Sequence, residues 1–131
     1  MREASSKTQV VSDRSYIVAS IGRWAVVMLW MGVIFWFSAQ PKDALNLAQS
    51  TLMSKLAHVI EYAIQGWLIQ WARGGRNRQR VGWLSWLIAV VYAATDEYHQ
   101  SFTPGRAPLV TDVIIDSLGA AIGVELAVWN S

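Results

Sequence analysis

A chain of 131 residues has room for one domain and no separate soluble module. It is 53% hydrophobic with eight Trp, and only 15% of it is charged, against about a quarter in an average soluble domain. The formal charge of +2 is too small, and the basic residues too confined to loops, to argue for nucleic acid, while the lack of Cys excludes disulfides and thiolate metal sites.

The first 14 residues are polar (Arg2, Lys7, Asp13, Arg14) and read as a disordered cytoplasmic tail, leaving 15–131 as a membrane domain. The apolar run Ile17–Ser38 is longer than the apolar stretch of a cleaved signal peptide and is expected to stay as a transmembrane helix. Its one charge, Arg23, lies near the start and can snorkel to the headgroups. Pro41 ends this helix. In the loop Gln40–Ser54, Leu45, Ala48 and Leu52 recur at helical spacing beside Gln49 and Ser50, the pattern of a short amphipathic helix lying in the interface.

A second spanning segment covers about Met53–Trp71 and carries Lys55, His58, Glu61 and Gln65. The third, Val81–Thr95, has only 15 residues, about 22 Å of helix, and needs continuation to His99 for a full crossing. That continuation puts Asp96 and Glu97 at the membrane edge. Pro104-Gly105 marks a turn before the fourth segment, Leu109–Trp129, which holds Asp112 and Asp116 near its start and Glu125 near its end. A soluble bundle fits less well, because the first and fourth segments lack a polar face along most of their length.

The fold expected is therefore an all-α bundle of four transmembrane helices. Arg73, Arg76, Arg78 and Arg80 between the second and third segments, with Arg2, Lys7 and Arg14 in the tail, place both termini and that loop in the cytoplasm. Threaded this way, Lys55, His58, Glu61, Asp96, Glu97, His99, Arg106, Asp112 and Asp116 fall together on the extracytoplasmic side. Ionisable groups inside a membrane are costly, and each is a functional-site candidate by default.

Spacing groups these residues further. Lys55, His58 and Glu61 share a helical face with Tyr62 and Gln65, as do Asp96, His99 and Gln100, whereas Glu97 points elsewhere. An Asp and a His three apart suit an orienter–base pair. Two His and several carboxylates are also the ligand types of a Zn, Mn or Mg site, but no HExxH or comparable spacing is present, and no metal ligand is assigned. Arg106 after the Pro-Gly turn offers bidentate geometry to phosphate or carboxylate, or it neutralises the surrounding acids. Asp112 and Asp116 face one way, with Thr111 as a cap. Gly119 and Gly123 form a GxxxG suited to close packing within the bundle.

Taken together, K-L-A-H-V-I-E-Y (Lys55–Tyr62), D-E-Y-H-Q-S-F-T-P-G-R (Asp96–Arg106) and D-V-I-I-D-S-L-G-A-A-I-G (Asp112–Gly123) resemble the VanZ-like family of small bacterial membrane proteins. The resemblance runs from near Ser38 to Gly123 and rests on the order and spacing of the motifs. It implies a four-helix domain in the bacterial inner membrane and, in some members, a link to low-level teicoplanin resistance. The family often has Asn where this chain has Asp116.

Three roles fit. The first is an envelope protein binding an anionic lipid or a polyprenyl-linked cell-wall intermediate at the outer leaflet, with Lys55, Glu97, Gln100, Arg106, Asp112 and Asp116 lining the pocket. The second is a membrane-embedded hydrolase or transferase on such a lipid. There His58 or His99 would be general base, oriented by Glu61 or Asp96, with Arg106 stabilising the developing anion. The third is an accessory subunit or assembly factor of a larger membrane complex, with the polar residues as bundle glue. A cofactor is not readable from these residues.

Overall fold

The computed structural model describes residues 2–41, 51–74 and 82–130, with side chains from residue 13 onward and from residue 52 in the second stretch. Within them lie four helices and no strand: α1 (Arg2–Ser38), α2 (Thr51–Ala72), α3 (Gly82–Gln100) and α4 (Val110–Trp129). Helix α1 begins at Arg2, so helical backbone also covers the polar stretch ahead of Ile17. The proposed interfacial helix and most of the Arg-rich loop fall in 42–50 and 75–81, outside the described residues.

Each remaining element follows from its local sequence. Helix α3 does continue past Thr95 and carries Asp96, Glu97 and His99 as regular helix up to Gln100. The chain then turns through Pro104-Gly105, where Gly105 adopts a φ of 77° that only a residue without Cβ takes at no cost. Helix α4 starts from Leu109 in extended conformation with no side-chain cap; Thr111 does not serve as one. The orphan amide of Leu109 is satisfied from a distance instead, donating to Glu97 Oε1 at 2.6 Å.

Helices α2 and α4 form the most intimate pair. Gly119 and Gly123 of α4 lie against the backbone of Val59 and Ala63, and Gly66 of α2 lies against that of Ala120. Small residues on both helices let the backbones touch. The GxxxG packs within the chain, as its sequence suggested.

Around this pair the usual arrangement of a soluble bundle is inverted. The interior contains Val27, Ile34, Tyr62, Ile69 and several Ala, but also Gln65, Gln70, Ser85, Asp96, Glu97, Gln100 and Asp116. The exterior carries apolar stripes at helical spacing: Leu52, Leu56, Ile60 and Ile64 on α2, Trp83, Leu87 and Val91 on α3, and Ile114, Leu118, Ile122 and Leu126 on α4. By length and composition one helix, over Asp13–Ser38, is apolar enough to cross a membrane, and 11% of its most apolar stretch is buried in the protein. Among the described residues α2, α3 and α4 do not reach that apolarity.

Hydrogen bonds from aromatic side chains to helix carbonyls tie the layers. Trp30 Nε1 donates to Glu61 O, Tyr92 OH to Met31 O and Trp86 Nε1 to Ser117 O. Gln65 is different. It is fully buried, and neither its Oε1 nor its Nε2 has a partner among the described residues. An unpaired buried amide costs about 1–3 kcal/mol, so Gln65→Leu, close in volume, should raise the thermal midpoint in detergent. A lower midpoint would mean that a buried water completes the amide.

Candidate functional site

The polar residues converge at one end of the bundle, where α1 and α3 finish and α2 and α4 begin. Asp96 is the hub of the first group. Its Oδ1 accepts from Ser38 Oγ at 2.7 Å, and its Oδ2 accepts from Gln100 Nε2 at 3.2 Å and Tyr62 OH at 3.4 Å. Three helices thus meet on one buried carboxylate. Its neighbour His99 places Nδ1 3.4 Å from Ser38 Oγ and stacks on Phe35 with ring centroids 3.9 Å apart. Ser38 Oγ makes its shortest contact with Asp96, so when its proton goes there His99 serves as donor to Ser38 rather than as its base.

Arg106 locks this end of the fold. Its Nε donates to Gln40 O at 3.0 Å, Nη2 to Phe37 O at 3.3 Å and Nη1 to Gln100 Oε1 at 3.1 Å. Two of these acceptors are carbonyls at the C-terminal end of α1, where a cation both satisfies orphan oxygens and meets the negative end of the helix dipole. Among the described residues no carboxylate is hydrogen-bonded to it. Arg106→Lys should therefore destabilise the protein by about 1–3 kcal/mol in spite of the retained charge, because a single ammonium cannot span the three acceptors. Chemical denaturation beside wild type reads this directly.

The second group centres on His58 and Asp116, joined by a 3.0 Å contact between Nδ1 and Oδ1. Asp116 is fully buried and the His58 side chain is 14% exposed. A carboxylate only accepts, so Nδ1 carries the proton, and in neutral His58 the other ring nitrogen is an acceptor. Glu61, half-buried, lies within electrostatic range of His58, Asp96, Asp116 and Arg106, and so couples the two groups. Its carboxylate makes no hydrogen bond among the described residues. Asp112 stands close to His58, Asp116 and Glu97. Glu97 spends Oε1 on Leu109 and leaves Oε2 buried without a partner among the described residues.

Of the residues singled out by sequence, the fold brings together His58, Glu61, Asp96, Glu97, His99, Gln100, Arg106, Asp112 and Asp116. Lys55 stays exposed and joins none of these bonds. Sequence reasoning missed Ser38 and Phe35. A serine closing an apolar run carries no signal, and its value lies in where α1 ends against α3. Among the described residues no three His, Asp or Glu side chains are arranged to hold a metal ion.

Among the described residues, four helices with a buried His–carboxylate centre at one end are thereby defined. The chain belongs to the VanZ/LLP1 family, whose model matches residues 23–130. Searches of curated proteins and of solved structures returned no match.

Proposed function

We propose that the chain is a multi-pass protein of the bacterial inner membrane whose extracytoplasmic polar centre receives the headgroup of a lipid or of a lipid-linked cell-wall intermediate. The observation that carries this is the inversion of the bundle, with apolar stripes outward on α2, α3 and α4 and polar side chains inward. In water each exposed large apolar side chain forgoes about 1.5–3 kcal/mol of burial, whereas in a bilayer that surface is matched. Within lipid, ionisable groups belong inside the bundle. Membership of the VanZ family supports an envelope protein. With a cell-wall intermediate as ligand, the protein would alter teicoplanin susceptibility through that intermediate.

Orientation rests on the Arg residues of the loop between α2 and α3 and on those of the N-terminal stretch, which favour the cytoplasm. The chain has no Cys, so single cysteines report topology cleanly. Ser101→Cys, at the site end, should react with a membrane-impermeant maleimide in intact cells, and Asn130→Cys only after lysis. The reverse pattern would place the centre inside the cell, and equal labelling of both would overturn the spanning arrangement.

The His58–Asp116 pair favours a second possibility, a hydrolase or transferase in which His58 is the general base. Ser38 is poorly set up as its nucleophile, since its proton is given to Asp96. His58→Ala that abolishes lipid turnover yet keeps lipid retention would establish the enzyme; equal loss of both would leave the binding role alone.

A further inference from the structure

Resting on the headgroup site just described, we propose that the centre recognises a protonated primary amine, and so selects aminophospholipids over lipids that offer phosphate alone.

The inference comes from matching donors with acceptors. Phosphate needs N–H or O–H donors, and among the described residues the hydroxyls and amides around Asp96 are already engaged with that carboxylate. Ser38 Oγ, Tyr62 OH and Gln100 Nε2 all donate to Asp96. Arg106 spends three of its five N–H donors on Gln40, Phe37 and Gln100, including both that form its side-on fork, and leaves one N–H on each Nη. Lys55 is exposed and outside the cluster. Acceptors, by contrast, are left over. The carboxylates of Glu61 and Asp112, which flank His58, accept no hydrogen bond among the described residues.

Glu97 supplies the independent observation. It is 6% exposed, is fixed through Oε1 by the Leu109 amide, and holds Oε2 unpartnered with His58, Asp112 and Asp116 as electrostatic neighbours. A buried carboxylate oxygen held in place without a donor is half of an unmade hydrogen bond. An ammonium offers three donors and no acceptor, the complement of this surface. A bare metal ion suits it less, because no three ligands converge among the described residues. A free soluble amine has the same donor set, but the apolar exterior favours one carried on acyl chains.

The test uses the intact wild-type chain, so folding is not in question. Purified protein in nanodiscs or mild detergent is equilibrated with dioleoyl phosphatidylethanolamine, its N-acetyl derivative and dioleoyl phosphatidylglycerol, and retained lipid is counted by native mass spectrometry. Phosphatidylethanolamine should exceed its N-acetyl derivative by about tenfold or more, the ratio expected for one charge-assisted contact. Asp112→Asn should narrow that ratio. Equal retention of the amine and its acetylated form, or preference for phosphatidylglycerol, overturns amine selection and leaves a headgroup site standing. Retention of no lipid overturns both. Ethanolamine binding as tightly as the lipid would overturn the lipid source.

Discussion

Gly123→Ala should be among the most damaging single-methyl changes in this protein. A Cβ at that position would meet Ala63 carbonyl oxygen, lie 2.7 Å from its carbon and 2.9 Å from Trp67 N, all of them backbone atoms. No side-chain rotation relieves such an overlap, so α2 and α4 must move apart. Overpacking typically costs about 1–3 kcal/mol, and this case belongs at or above the top of that range because two helices must shift. The His58–Asp116 contact spans the same pair and would be stretched as well. Gly32→Ala is the control: nothing lies within 4 Å of its would-be Cβ, and an Ala in a helix is favoured by up to about 1 kcal/mol. Thermal unfolding in detergent should therefore separate the two variants in opposite directions. Similar midpoints would remove the close α2–α4 approach from the account of stability.

How far sequence led toward this arrangement depended on which physics set each feature. Helices α2, α3 and α4 were readable because apolar runs between turn signals fix where backbone must hydrogen-bond to itself; the observed bounds differ from expectation by a few residues at most. The GxxxG of α4 was readable for the same reason, since only small residues allow backbones to touch. The start of α1 at Arg2 was not, because polar helix has no apolar periodicity to announce it. At the site, periodicity put His58 and Glu61 on one face and Asp96 and Gln100 on another, but it could not say that His58 would choose Asp116. That choice follows from the register of α2 on α4. Arg106 was readable as an unusual charge after a turn. Two of its three partners are backbone carbonyls, which have no residue-type signature, and neither alternative weighed from sequence, anion receiver or neutraliser of acids, included them.

The second large effect is expected at Asp116, where charge and geometry can be separated. Asp116→Ala deletes the oxygen that His58 Nδ1 contacts at 3.0 Å and leaves a mostly buried imidazole without its partner. A buried donor left without its acceptor costs about 1–3 kcal/mol, and the low exposure of both side chains keeps solvent from making good the loss. Asp116→Asn should behave quite differently. Its amide oxygen can stand where Oδ1 stands and accept the same proton, so stability should fall by no more than about 1 kcal/mol. What Asp adds in this chain is a negative charge beside Glu61, Asp96 and Asp112. If that charge serves ligand recognition, Asp116→Asn should keep the fold and lose preference for an amine-bearing lipid, whereas Asp116→Ala loses both. Denaturation midpoints and lipid retention measured on the two variants resolve the matter. A destabilisation of Asp116→Asn as large as that of Asp116→Ala would make the charge itself, rather than the hydrogen bond, the element that holds α2 to α4.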